Sequence, residues 1–213
     1  MILYTYAYSS AAFRVRIALN LKGIDAEYRY VHLRKDGGQH YAPSYAALNP
    51  MREVPTLEDH GRVISQSMAI LEYLEETQLE PALLPVDPYL RAKVRQVCES
   101  VISGIHPLGN LKVMEYLAAN YGEKPLPAES KWYQHWVGQG LARLEELVAP
   151  LSGTYAVGHQ LTFADCCVIP QVFNAHRNNV DISKCPTLNR LWSACIGEPA
   201  FAKAHPQNQA DAR

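Results

Sequence analysis

The chain has 213 residues, of which 48% are hydrophobic and 19% charged, and its formal net charge is −1. That length supports one large domain or two small ones with real cores, and a charge so close to zero argues against nucleic acid as a bulk electrostatic partner. No apolar run reaches the roughly 18 residues of a membrane span, and no basic segment followed by an apolar one opens the chain, so neither an anchor nor a secretory leader is expected.

Ile2–Tyr6 is apolar and aromatic and predicts a strand. Ser9 and Ser10 follow, and Ala12–Lys22 carries a helical apolar set at Val15, Ile17, Ala18, Leu19 and Leu21, with Gly23 as its stop. A helix start gathers unpaired N–H groups and the positive end of the helix dipole. Such a junction favours an anion, a thiolate included, and a hydroxyl there can donate to sulfur. The segment has no cysteine, so the sulfur is expected to come from a small molecule.

Glu27–Leu33 alternates as a strand. Arg34–Ala47, with Asp36-Gly37-Gly38 and Pro43, reads as an irregular loop with one helical turn. Val54–Leu57 and Arg62–Ser65 flank Asp59-His60-Gly61 and predict a hairpin, and Ser67 is expected to cap a helix running to about Thr77. The order β-α-β, connection, β-β-α describes a four-stranded mixed sheet with helices on its faces, the thioredoxin-like arrangement. This domain is expected to occupy residues 1–80, followed by a proline-rich linker at 81–88.

Residues 89–213 read as an all-helical domain, so the fold class is α/β plus all-α, a thioredoxin-like domain followed by a helical bundle. Tyr89–Tyr121 is a long helical run with a kink expected at Pro107, and Glu129–Val148 is a second long helix. Thr162-Phe163-Ala164-Asp165 is a capping box with Asp in place of Glu or Gln, opening a helix to about Arg177. Pro186–Ile196 and Pro199–Ala204 predict short helices, and Gln207–Arg213 a frayed tail. The five cysteines (Cys98, Cys166, Cys167, Cys185 and Cys195) fit neither a zinc site nor a disulfide framework. Reduced thiols and a cytoplasmic location are expected, with the vicinal pair Cys166-Cys167 as small core residues.

Two further segments suggest ligand contacts. Pro55 fits either a plain strand start or a cis turn; a cis turn would aim the Val54 N–H and C=O outward, toward a peptide-like ligand. At Gln66-Ser67 the hydroxyl and the following N–H groups either hold a carboxylate or serve only to cap the helix. Two anion-friendly helix starts in one small domain suggest a shared ligand with a sulfur at one end and a carboxylate at the other.

In order, Ser9-Ser10 with Arg14-Val15-Arg16-Ile17-Ala18-Leu19, Lys35-Asp36-Gly37-Gly38-Gln39, Ala47-Leu48-Asn49-Pro50, Val54-Pro55-Thr56-Leu57, Gln66-Ser67-Met68-Ala69-Ile70 and Glu72-Tyr73-Leu74-Glu75 resemble the zeta-class glutathione transferases, the family of maleylacetoacetate and maleylpyruvate isomerases. Gly104-Ile105-His106-Pro107-Leu108, Ala164-Asp165-Cys166, Pro170-Gln171-Val172 and Val180-Asp181 extend the resemblance over nearly the whole chain. The resemblance implies glutathione as cofactor, no metal, and a homodimer. It implies a catalytic role for Ser9, with Ser10 beside it, in stabilising the glutathione thiolate. Glutathione contacts are implied at His40, at the Val54 backbone, at Gln66 and Ser67 for the γ-glutamyl end, and at His106 and Asn110. His106 and Arg177 are implied for substrate, Arg177 through a carboxylate.

Plain structural roles stand beside these. His106-Pro107 would shape the kink, Arg177 would meet the last helix carbonyls, Arg14 and Arg16 would partner nearby carboxylates, and the Thr162/Asp165 box would serve folding. The sequence departs from the family's Arg-Ser-Ser-Cys, reading Tyr8-Ser9-Ser10-Ala11. Ala11 counts against reductive dehalogenation, and Tyr8 removes one carboxylate anchor. The implied reaction is cis–trans isomerisation of a maleyl-type diketo acid by reversible thiolate addition. A broader transferase that conjugates electrophiles, and a non-catalytic binding protein that keeps the fold, are the alternatives.

Overall fold

In the computed structural model, which describes residues 1–212, the chain divides into two units: Met1–Leu83 together with the segment from Gly197 onward, and Leu84–Ile196. The first unit holds strands β1 (Ile2–Thr5), β2 (Glu27–Tyr30), β3 (Thr56–Asp59) and β4 (Arg62–Ser65), in the order β2-β1-β3-β4. β1 and β2 are parallel and joined through helix α1 (Ser10–Leu21), whereas β3 runs antiparallel to both β1 and β4. This is the thioredoxin-like sheet. His60 and Gly61 both have positive φ, 48° and 74°, the geometry whose twist matches a two-residue hairpin.

β2 is shorter than the sequence predicts and β3 is displaced two residues along the chain, and each change has a local cause. β2 stops at Tyr30 because its partner β1 ends at Thr5, the residue opposite. β3 starts at Thr56 because Pro55 has no N–H to give a ladder, and the Val54–Pro55 bond is cis. Between β2 and β3 the chain makes 3-10 turns at Lys35–Gly37 and Gln39–Tyr41, then helix α2 (Pro43–Leu48), with Pro43 in the first turn, where it suits a helix. Helix α3 (Ser67–Thr77) follows β4 and packs on α1. The far ends of these helices are tied by a buried Lys22–Glu75 pair at 2.7 Å. Lys22 also donates to the carbonyls of Gln78 and Pro81, and Glu75 accepts from the Leu83 N–H, so neither charge is left uncompensated.

The second unit holds α4 (Pro88–Glu99), α5 (Leu111–Tyr121), α6 (Lys131–Val148), α7 (Phe163–Arg177) and α8 (Pro186–Ile196). Helix α7 is its core: it is buried from Phe163 to Phe173 and packs against α4 and α8. Its capping box forms as the sequence predicts. The Thr162 N–H donates to Asp165 Oδ2 at 2.9 Å, and Thr162 Oγ1 accepts from the Ala164 N–H. Asp165 Oδ1 also accepts from the Ala156 N–H at 2.8 Å, which draws in the preceding loop. All five cysteines are buried thiols outside any disulfide, and burial pushes the Cys166 thiol well up.

The expected kink at Pro107 is not where the long helix breaks. α4 passes into a π-helical turn over Ser100–Ile105, then a 3-10 turn over His106–Gly109. Pro107 sits in the first positions of that short turn, where a missing N–H costs no ladder bond. Close approach of α6 accompanies the break. A Cβ on Gly109 would lie 2.5 Å from the Tyr133 ring, and one on Gly140 2.7 Å from Ile105.

The C-terminal segment also departs from expectation. Helix α9 (Pro199–Ala204) and the residues after it group with the sheet unit rather than with the helical residues that precede them. Phe201 is fully buried, Arg16 Nε donates to the Ala204 carbonyl at 3.0 Å, and Asn20 donates to the Ala200 carbonyl. The fray expected over Gln207–Arg213 is replaced as far as Ala212 by an ordered strap, and Arg213 lies outside the described residues. Gln209 donates to the carbonyls of Lys203 and His205, the Asp211 carboxylate accepts from the Ala7 N–H, and the Ala212 carbonyl accepts from the Tyr8 hydroxyl.

Candidate active site

Ser9 is the N-cap of α1, with extended backbone (φ −77°, ψ 113°), and its Oγ accepts from the Ala12 N–H at 3.2 Å. A hydroxyl that accepts in this way keeps its own proton to donate. Ser9 is half-buried, whereas Ser10, the first helical residue, is buried. Of the two serines, Ser9 presents its hydroxyl at the helix start, and Ser10 is buried as the first helical residue. The turn before them is held by Arg16, which donates to Thr5 Oγ1 and to the carbonyls of Tyr6 and Ala7 at 2.9–3.1 Å. Burial lowers the Arg16 guanidinium to about 10, and the Asp211 carboxylate opposes that fall. Arg16 is structural, as the sequence suggests, but its hydrogen bonds go to a hydroxyl and to carbonyls rather than to carboxylates.

Strand register gathers the other N-terminal candidates. Tyr4 of β1 lies opposite Thr56, and Thr56 opposite Ser65, so the end of β1, the start of β3 and the end of β4 share one edge of the sheet. Val54 lies just before the start of β3, Gln66 and Ser67 directly follow β4, and Ser9 comes four residues after β1. Around Val54 the connection is pinned: the Tyr45 hydroxyl reaches the Glu53 carbonyl at 2.7 Å and Thr56 Oγ1 at 2.9 Å, and Asn49 donates to the same carbonyl. Gln66, not Ser67, is the N-cap of α3, and its side chain makes no capping bond. It has φ 71° and ψ 121°, a region that costs a non-glycine residue about 1–3 kcal/mol. The Gln66 amide donates to Glu53 at 3.3 Å.

Ser67 therefore does not cap its helix, which corrects the sequence-based expectation. It is the first helical residue, buried, and its Oγ accepts from Arg14 Nη1 at 3.1 Å. Arg14 is itself only 1% exposed. A buried guanidinium, a hydroxyl with a proton to give, and the free N–H groups of a helix start together favour a carboxylate. Sequence reasoning gave Arg14 no part in the site. Its signal was available in the spacing, since Arg14 lies on the helix that Ser9 caps. His40 sits in the second 3-10 turn, buried with its ring 4.0 Å from that of Tyr41. Gly38 there has φ 97°, and a Cβ on it would come within 2.7 Å of the His40 ring, so only glycine seats it.

In the helical unit, His106 opens the 3-10 turn and is half-buried. It lines a small cavity of about 30 Å³ with Tyr133, Gln171, Asn174 and Gly109, enough for a water-sized group. The Tyr133 oxygen accepts from Asn178 at 3.3 Å, and burial pushes the phenol up to about 12. Gln171 is buried, and its Oε1 has no protein partner. Tyr133, Gln171 and Asn174 were missed from sequence; a glutamine inside the apolar run of α7 was the available sign. Asn110 is the N-cap of α5, its Oδ1 accepting from the Lys112 N–H at 3.2 Å. Arg177 is exposed at the last residue of α7, and its charge acts on Tyr133.

Comparison with known proteins decides what this arrangement is. Residues 8–77 match the family model for the glutathione S-transferase N-terminal domain. The chain is 44% identical over 210 residues to the maleylacetoacetate isomerase of Rattus norvegicus, covering 99% of this chain and 94% of that one. A holo structure of a maleylpyruvate isomerase, a bacterial zeta-class glutathione transferase, superposes with a TM-score of 0.94 at 39% identity over the full length of both chains. The chain belongs to the zeta-class glutathione transferases. A maleylacetoacetate isomerase of Methylobacterium extorquens, solved with malonate and glutathione bound, matches this transferase with a TM-score of 0.94 at 35% identity, again over both full lengths.

In this zeta-class transferase the position before the two serines is occupied differently from the family's arginine. Tyr8 is half-buried, and its hydroxyl donates to the Ala212 carbonyl at 3.1 Å. Ala11 leaves no thiol beside the serines; all five cysteines lie from Cys98 onward.

Proposed function

We propose that this zeta-class transferase is a glutathione-dependent cis–trans isomerase of a maleyl-type diketo acid, maleylacetoacetate or maleylpyruvate. The observation that carries the reading is Ser9 Oγ, fixed at the start of α1 by the Ala12 N–H with its own proton left to donate. The buried Arg14–Ser67 pair fits the carboxylate end of the tripeptide. Relatives that share the whole length carry the names maleylacetoacetate and maleylpyruvate isomerase.

Glutathione, when bound, supplies the thiolate that adds reversibly to the substrate's double bond. Ser9 donates to the sulfur, and the N–H groups and dipole of the helix start favour its charge. Ser10 supports that turn from the inside. Ser67, oriented by Arg14, and Gln66 hold the γ-glutamyl end, the Val54 backbone pairs with the peptide, and His40, His106 and Asn110 supply further contacts. Arg177 binds a substrate carboxylate by charge, and His106 faces the substrate.

The test is an isomerisation assay with both maleyl substrates, with and without glutathione, on wild type and Ser9→Ala. Trans product should form only with glutathione present, total free glutathione should stay constant, and Ser9→Ala should lower kcat by about 100-fold, the scale of losing one donor to a developing or stabilised anion. Turnover without glutathione overturns the reading, and steady consumption of glutathione would make the protein a conjugating transferase instead. Among the described residues no helix is long and apolar enough to cross a membrane, and we place the enzyme in the cytoplasm, where its buried thiols stay reduced. It is a homodimer in this reading, so light scattering should give twice the 23.9 kDa chain mass, and a monomer mass would remove that inference.

A further inference from the structure

We propose that the C-terminal strap is a positioning element for Ser9, acting through the Asp211 carboxylate and the Tyr8 hydroxyl. The proposal rests on Ser9 serving bound glutathione. The turn Tyr6–Ser9 delivers Ser9 to the start of α1 and is closed by one backbone bond, from the Ser9 N–H to the Tyr6 carbonyl at 3.1 Å. That bond leaves the Ala7 N–H and the Ala7 carbonyl without a partner inside the turn and one lone pair of the Tyr6 carbonyl open, and buried backbone groups must be paired. Ala7 is fully buried. Arg16 takes both carbonyls from one side. From the other side Asp211 Oδ2 accepts from the Ala7 N–H at 3.0 Å, and the Ala212 carbonyl accepts from the Tyr8 hydroxyl at 3.1 Å.

Both strap contacts fall on the two residues immediately before Ser9, and both span 204 positions of sequence. The strap is itself anchored. Arg16, which holds the carbonyls of the turn, also donates to the Ala204 carbonyl at the end of α9, and α9 packs along α1. One guanidinium thus bridges the turn and the base of the strap, and Asp211 meets that turn again at the strap's far end. Tyr8, which cannot serve as the cationic anchor an arginine would be, acquires a different role here: it fastens the serine turn to the chain's last described residue.

Charge separates this role from a field effect. The groups that face Asp211 are Arg16 and His32, and its carboxylate acts on both. Removing a negative charge near a thiolate should, by charge alone, make the thiol easier to ionise. Losing the grip on Ala7 should displace Ser9 and make it harder. Asp211→Ala removes both the charge and the acceptor; Asp211→Asn removes the charge and keeps an oxygen to accept the Ala7 N–H.

The experiment titrates the thiol of glutathione bound to the wild type, Asp211→Ala, Asp211→Asn and Tyr8→Phe by ultraviolet thiolate absorbance. It also measures hydrogen exchange at the Ala7 amide in the glutathione-free proteins. Asp211→Ala should raise the bound thiol pKa by about one unit, roughly a tenfold loss of thiolate at fixed pH, and should speed exchange at Ala7. Tyr8→Phe should shift the thiol the same way and less far. Asp211→Asn should return both readings to wild type or carry the thiol pKa below it. A thiol pKa that falls in both Asp211 variants overturns positioning in favour of charge, and unchanged exchange at Ala7 in Asp211→Ala overturns the strap contact itself. Should Asp211→Ala not fold, Tyr8→Phe, which removes one oxygen, decides alone: a thiol pKa equal to wild type overturns the proposal. A wild-type protein that binds glutathione without lowering its thiol pKa contradicts the role of Ser9, while the exchange measurement still reports on the strap.

Discussion

Arg14 and Ser67 show how one pair of side chains prepares a site. The guanidinium is buried and spends a donor on the Ser67 hydroxyl, so the hydroxyl's own proton is left for a ligand at the start of α3. A hydrogen bond to a charged group contributes about 1.5–3 kcal/mol. Ser67→Ala should therefore weaken glutathione binding roughly 10- to 100-fold with kcat at saturating glutathione nearly unchanged, read by steady-state kinetics. A matching fall in kcat would move Ser67 into the chemistry. This pairing was only half legible in the sequence. A serine at a strand-to-helix junction is visible in the residue order, but its status as first helical residue rather than cap depends on Gln66 adopting φ 71°, a conformation glutamine does not announce. Arg14 gave no sign of its partner, which lies 53 positions away.

Elements with local punctuation were the legible ones. α1 ends where Gly23 takes a positive φ, the β3–β4 turn forms at His60-Gly61, and α7 starts at the Thr162/Asp165 box. What the sequence hid were features set by distant packing. The helix that was to bend at Pro107 changes to a π-helical turn from Ser100, in a stretch that α6 approaches closely at Gly109 and Gly140. The tail that was to fray is held by the N-terminal turn. The capping box has a further consequence for α7. Burial raises Asp165 from the ordinary 3.8 to about 6, outweighing the N–H groups that favour its ionised form. The folded state thus holds this proton more tightly than the unfolded chain. The associated stability is complete below 3.8, is lost as pH rises toward about 6, and is level above that. In urea unfolding, the stability of wild type relative to Asp165→Asn should decline by roughly 1.4 kcal/mol per pH unit across that window. A difference that grows with pH would mean that the box prefers the carboxylate ionised.

At the scale of the whole molecule, the first unit is built from both ends of the chain, with the helical unit inserted between them. Sequence reading by composition shift places a boundary near residue 80, where strands give way to helices, and the two units divide between Leu83 and Leu84. It assigns α9 to the helices, since nothing local distinguishes that helix from its neighbours. The consequence for function is that the serine turn depends on residues at the opposite end of the chain. Every part of the account meets at that turn, where Ser9 is held ready to donate to a sulfur brought by glutathione. The measurement that tests this most directly is the thiol pKa of glutathione bound to wild type and to Ser9→Ala, by ultraviolet titration. The wild type should lower the thiol by one to two units from about 8.5, and Ser9→Ala should return it most of the way. An equally low thiol pKa in both proteins would contradict the assignment of Ser9.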